Sequence, residues 1–138
     1  MKKYLVIGNP IGHSLSPLIH NHWMKKYSLF NSIYEKRKVK EKDLKSIVKE
    51  IRDDKIVGVN VTVPFKKSII PLLDELDSTA KETESVNTLL KVKNKIVGYN
   101  TDKEGFALTM QELFPDPSDS MIPTALHGKN IFILGAGG

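Results

Sequence analysis

The sequence predicts an α/β fold of three layers: a mostly parallel sheet containing one antiparallel hairpin, with helices on both faces. Three observations carry this. Short runs of β-branched residues alternate with segments of helical periodicity, the pattern of a sheet covered by helices. The runs stop abruptly at Gly8-Asn9-Pro10 and at Pro64, where proline removes a ladder donor. Two apolar stretches flank Lys93-Asn94-Lys95, a short polar loop of hairpin type.

Taken in order, Tyr4 to Ile7 reads as a buried strand. Ser14-Leu15-Ser16-Pro17 opens a helix, with Ser16 as N-cap and Pro17 as its first residue. Leu15, Ile19, Trp23 and Tyr27 form one stripe of that helix. Ile33 to Val39 reads as a second strand. Leu44, Ile47, Val48 and Ile51 follow the i, i+3, i+4, i+7 pattern of an amphipathic helix, with charged residues between them. Lys55 to Val63 is strand-like. Lys67 to Leu76 predicts a short helix, opened or broken at Pro71, and Asp77 to Glu84 another turn or two. Val86 to Val92 and Ile96 to Tyr99 form the hairpin. Thr101-Asp102 caps a helix running to about Phe114, with Phe106, Met110, Leu113 and Phe114 on its apolar side. Three prolines between Pro115 and Pro123 mark a linker. Asn130 to Leu134 is a last strand, followed by Gly135-Ala136-Gly137-Gly138. The expected organisation is therefore a domain at 1–114, a linker at 115–129, and a strand with a glycine loop at 130–138.

Composition narrows the function classes. The chain has 138 residues, 40% hydrophobic and 27% charged, which suits a folded domain rather than a disordered one. It has no cysteine, so disulfides, thiolate metal sites and cysteine nucleophiles are excluded. The net charge of +5 is spread among acids, and aromatic residues are 7%, a weak basis for nucleic-acid binding. The apolar run after Met1 ends at Gly8, too short for a secretory h-region of about 7–15 residues. No stretch approaches the ~18 apolar residues of a membrane span. His13 reads as an ordinary turn residue, and His20, His22 and His127 have no metal-ligand spacing, so no metal is expected.

Ligands of open parallel sheets bind outside the carboxyl ends of the strands. Four motifs fall at strand ends: Gly12-His13-Ser14-Leu15-Ser16-Pro17, Asn60-Val61-Thr62-Val63-Pro64-Phe65-Lys66, Ser85-Val86-Asn87-Thr88 and Asn100-Thr101-Asp102-Lys103-Glu104-Gly105. Their hydroxyls and amides, with Lys66 and Asp102, suit a small polyhydroxylated anion. Singly, each has a plainer reading: Ser14, Ser16 and Asp102 as helix caps, Asn60 and Thr62 as sheet-edge polars, Asn87 as a turn residue, Lys66 as a solvated lysine.

In this order the motifs GNPIGHSLSP, GVNVTVPFK, SVNTL, GYNTDKEG and ILGAGG resemble shikimate dehydrogenase, from Tyr4 to Gly138. The resemblance implies NADP-dependent, reversible reduction of 3-dehydroshikimate to shikimate in aromatic amino acid biosynthesis, by a cytoplasmic enzyme. It implies that Ser14 and Ser16 bind the substrate carboxylate and that Asn60, Thr62, Asn87 and Asp102 bind ring hydroxyls. Lys66 and Asp102 become the catalytic pair, and Gly135, Ala136, Gly137 and Gly138 border the cofactor phosphates. The chemistry agrees: hydride addition to a ketone leaves charge on oxygen, which an ammonium beside it stabilises and protonates. The expected partner is the small-molecule substrate, with no nucleic acid and no membrane; a homodimer is compatible with this. A quinate-using relative of broader specificity, or a non-catalytic metabolite-binding domain, are the competing readings.

The chain departs from the family pattern at Ser85, where alanine is usual, and in its proline-rich linker. It also ends within the glycine loop, whereas a dinucleotide site needs a βαβ unit of about 30 residues. These 138 residues alone are therefore expected neither to bind NADPH nor to turn over. The last strand, Asn130 to Leu134, without its sheet, is expected to be displaced, frayed or borrowed by a neighbour.

Overall fold

A computed structural model describes residues 1–115, 126 and 128–135. It divides into two compact units, Met1–Asn100 and Thr101–Gly137.

The first unit alternates strands and helices: β1 (Lys2–Gly8), α1 (Ser16–Lys26), β2 (Ser32–Lys38), α2 (Leu44–Arg52), β3 (Gly58–Val61), β4 (Glu75–Leu76), α3 (Ser78–Thr83), β5 (Thr88–Val92) and β6 (Lys95–Tyr99). The sheet order is β2-β1-β3-β5-β6-β4. β1 pairs in parallel with β2 and β3, and β4 with β6, whereas β5 runs against both of its neighbours. The hairpin loop is the two residues Lys93 and Asn94, both left-handed (φ 47° and 69°), as a tight hairpin of this twist requires.

The two faces of the sheet are unequal. Leu44, Ile47, Val48 and Ile51 of α2 bury their whole stripe against Leu5, Ile7, Val59, Val61, Leu89 and Ile96. On the other face Val6, Ile11 and Tyr34 form a smaller cluster, with Tyr4 and Met24 against it.

α1 departs from its sequence reading in two ways. The helix begins at Ser16 with Leu15 at the N-cap; the Ser14 hydroxyl, not that of Ser16, accepts the Ser16 N–H at 3.3 Å. The stripe of Leu15, Ile19, Trp23 and Tyr27 is exposed, and α1 buries no residue. Its contact face is set one residue round, about 100° at 3.6 residues per turn, and presents His20, Asn21 and Met24. The His20 ring stacks on Tyr34 with centroids 4.2 Å apart. The Asn21 side chain donates to the Tyr34 carbonyl at 2.8 Å and accepts the Tyr34 N–H at 2.9 Å. Polar and aromatic contacts therefore attach this helix, which an apolar-stripe rule does not read.

Residues 67–76 do not form the expected helix. A single 3₁₀ turn at Ile70–Leu72 precedes β4, because Pro71 lacks the N–H that would extend it. Asp77 caps α3 by accepting the Thr79 N–H at 2.9 Å and the Thr79 hydroxyl at 2.8 Å. These bonds, the backbone one first, hold its carboxyl below the ordinary 3.8. The Ile96 N–H, at 2.7 Å, does the same for Asp74, with help from Arg52. Folded values below unfolded ones mean that this stabilisation is complete above the unfolded pKa. It is lost as pH falls through the folded value. Urea midpoints are expected to drop below about pH 4, and to drop less in Asp77→Asn; parallel profiles for the two proteins would remove the assignment.

In the second unit α4 spans Asp102–Leu113, with Thr101 at its N-cap and only Ala107 buried. Most of the expected linker lies outside the described residues. Asn130 to Leu134 is not a strand: it has no ladder, and Phe132 and Leu134 are almost fully exposed. Without a paired neighbour, backbone of this apolar kind has nothing to hold it extended.

Candidate functional site

The register places four chain segments at one rim of the sheet. Ile7 of β1 stands opposite Val61 of β3, so both strands finish together and lead into the Ser14 and Thr62 loops. β5 is antiparallel, so its beginning, not its end, meets that rim: Asn60 pairs with Thr88, and Thr88 with Tyr99 of β6. The carboxyl ends of β1, β3 and β6 and the amino end of β5 thus share one border. Backbone hydrogen bonds tie the segments there. Thr62 N–H donates to the Ile7 carbonyl at 3.0 Å, Val61 N–H to Asn87 at 2.8 Å, and Asn87 N–H to Tyr99 at 3.0 Å. Val86 N–H donates to the Lys66 carbonyl at 2.9 Å, which anchors the lysine beside the Asn87 segment.

Asn60, Thr62, Lys66 and Asn87 are brought together by these bonds. Asn60, Thr62 and Lys66 are half-buried, and Asn87 is buried. Ser14 sits in the loop leaving β1, steadied where its N–H donates to the Ile11 carbonyl at 3.1 Å, and Ser16 follows as the first residue of α1. Asp102 opens α4 in the second unit, two residues beyond Asn100, whose side chain donates to the Ser85 carbonyl at 3.0 Å. Of the glycine loop only Gly135 is described; its φ of +94° is one that glycine adopts without strain. Ala136, Gly137 and Gly138 lie outside the described residues. Among the described residues no group of His, Asp and Glu has the arrangement to hold a metal ion, and no helix is long and apolar enough to cross a membrane.

Several contributors were not legible in the sequence. Gly8 closes β1 against the Thr62 loop: a Cβ there would stand 2.6 Å from Thr62 Cγ2 and 3.1 Å from the Val63 carbonyl. Any side chain at position 8 must therefore displace the Thr62 segment. Tyr34 donates its phenol proton to Asn60 Oδ1 at 2.6 Å. Burial pushes that phenol up to about 12, so it keeps its proton at neutral pH. Asn60 Nδ2 donates to Thr88 Oγ1 at 3.0 Å and to the Asn87 carbonyl at 3.3 Å. A cavity of about 250 Å³ opens beside this network, with Tyr34, Asn60 and Thr88 in its wall. A larger cleft of about 660 Å³ at β4 is lined by Leu73, Asp74 and Glu75, and by none of the candidate residues.

Comparison with known proteins gives a consistent result. The family model described as shikimate dehydrogenase substrate binding domain matches residues 6–89. The shikimate dehydrogenase (NADP(+)) of Pelagibacter ubique is 48% identical over 99% of this chain and 48% of its own length. That of Bacillus subtilis is 45% identical over the whole chain and 46% of its own length. Among solved structures, shikimate 5-dehydrogenase from Listeria monocytogenes, in complex with shikimate and NAD, superposes with a TM-score of 0.78 at 33% identity. The match covers 84% of this chain and 40% of that one. The chain spans about half the length of the curated relatives it matches. The matched residues run from β1 into β5 and take in every loop of the first unit that carries a candidate side chain, and on that ground the chain belongs to the shikimate dehydrogenase family, in its substrate binding domain.

Proposed function

We propose that this chain supplies the substrate half of an NADP-dependent shikimate dehydrogenase, interconverting 3-dehydroshikimate and shikimate. The observation that carries the reading is the convergence of Asn60, Thr62, Lys66 and Asn87 on one rim, within a domain of that family. Ser14 and Ser16 take the substrate carboxylate, and Asn60, Thr62, Asn87 and Asp102 its ring hydroxyls. The polar inventory suits this: hydroxyls and amides both donate and accept, as sugar-like hydroxyls require. The nicotinamide, when bound, supplies or removes the hydride. Lys66 gives a proton from Nζ to the oxygen of the reduced carbonyl and takes it back in the oxidative direction. Asp102 orients the ammonium and accepts from a ring hydroxyl. Gly135, Ala136, Gly137 and Gly138 border the cofactor phosphates; the left-handed Gly135 leaves open space where a Cβ would stand, which suits a close backbone approach. The same reading takes a small anionic metabolite as partner and the cytoplasm as location.

Calorimetric titration of shikimate into the chain tests this. Saturable binding is expected, retained in Lys66→Ala and weakened roughly tenfold in Asp102→Asn, as for loss of one charged hydrogen bond. Absence of binding by the unmodified chain would overturn the reading.

A further inference from the structure

We infer that Tyr34 is a positioning residue for this site: through Asn60 and Thr88 its phenol fixes the orientation of the Asn87 side-chain amide. The inference takes its ligand from the shikimate reading but its geometry from the fold alone.

Tyr34 is only 4% exposed and is held on two sides. The His20 ring lies on it at 4.2 Å and 5°. Asn21 grips both its backbone N–H and its carbonyl. The ring therefore has one place to put its hydroxyl, 2.6 Å from Asn60 Oδ1. A carbonyl oxygen only accepts, so the proton comes from the tyrosine. With Oδ1 turned to Tyr34, Asn60 Nδ2 is turned to Thr88 Oγ1, at 3.0 Å. The Thr88 hydroxyl has one proton, and having accepted from Asn60 it donates to Asn87 Oδ1 at 3.0 Å. Three hydrogen bonds thus run in one direction from Tyr34 to Asn87. Reversing the Asn60 amide would set its Oδ1 against the Asn87 backbone carbonyl, which its Nδ2 now faces at 3.3 Å, acceptor against acceptor, and reversing Asn87 would take from the Thr88 proton the acceptor it now has. The chain of bonds therefore decides which end of the Asn87 amide faces Thr88 and which end faces elsewhere.

The test compares the 138-residue chain with Tyr34→Phe, Thr88→Val and Thr88→Ser. Phenylalanine keeps the ring stack and the backbone grip and removes only the hydroxyl. Side-chain amide resonances of Asn60 and Asn87 are followed by NMR without ligand, and shikimate affinity by calorimetry. In both Tyr34→Phe and Thr88→Val the Asn87 NH₂ resonances are expected to move and shikimate affinity to fall roughly 5- to 30-fold. Backbone amide resonances of β1 and β3 should stay in place, and Thr88→Ser should restore both readouts. Unmoved Asn87 NH₂ resonances in Tyr34→Phe and Thr88→Val, or a serine variant as impaired as the valine one, would overturn the inference. If Tyr34→Phe does not fold, the Thr88 pair decides alone. If the unmodified chain binds no shikimate, the functional reading fails while the ligand-free resonances still decide the role of Tyr34.

Discussion

Lys66→Ala, made in the protein carrying its complete cofactor-binding half, is expected to lower kcat by about 10²–10⁴-fold, the usual worth of a positioned acid–base group. KM for shikimate should change by less than about tenfold, because six other side chains share the binding role in this reading and the ammonium matters most as charge develops on oxygen. Arginine at position 66 keeps the charge but does not release a proton at neutral pH, so Lys66→Arg should remain nearly as slow as the alanine variant. The structural support is local. The Lys66 carbonyl is pinned by the Val86 N–H at 2.9 Å, so the side chain starts from a fixed point one residue from Asn87. A kcat loss under tenfold, or an active arginine variant, would remove Lys66 from the proton-transfer role.

The second large effect is on stability. Ile51 is fully buried in α2, packed in the cluster that includes Leu5, Ile7 and Val59. Ile51→Ala deletes methyl groups where the neighbours are strands and cannot collapse into the space, so the cost is expected to be about 2–5 kcal/mol. Against a typical total of roughly 5–15 kcal/mol this is a large share. With a urea slope of about 1–3 kcal/mol/M, the midpoint should fall by roughly 0.7–5 M at unchanged slope. Ile19→Ala offers the contrast: on the exposed side of α1, at 44% exposure, it should cost under about 1 kcal/mol. Equal losses at the two positions would mean that the two helices do not differ in burial as described.

What was legible depended on whether one local rule decides the outcome. α2 was readable because its four apolar positions keep helical spacing between charged residues, and all four are buried. The β5–β6 hairpin was readable because Lys93 and Asn94 sit between two apolar runs. On α1 apolar spacing does not mark the contact face: His20 and Asn21 make the attachment, and Leu15, Ile19, Trp23 and Tyr27 face outward. The helix expected at 67–76 failed at Pro71, where a single missing donor outweighs five apolar side chains. The strand at 130–134 had the right composition, but a strand exists only with a neighbour to pair with. The site motifs were readable in type, because their residues are contiguous in the chain. Tyr34 lies outside the quoted motifs, and Gly8 and Thr88 lie inside them without a role of their own, since what all three do depends on partners far away in sequence: Tyr34 and Thr88 meet Asn60, and Gly8 meets Thr62.

The grip of Asn21 on Tyr34 has a consequence for how this molecule meets other extended chains. β2 is the outermost strand on its side, and an outermost strand offers unpaired amide rungs to any passing peptide. The carboxamide of Asn21 imitates one rung of a seventh strand, filling both vacant positions at Tyr34 in the middle of β2. Glu35, Lys36, Arg37 and Lys38 follow at once with dense charge. A single amide borrowed from a helix thereby caps the border of the sheet against self-templating growth, and losing it would make solubility, before stability, the first property to suffer.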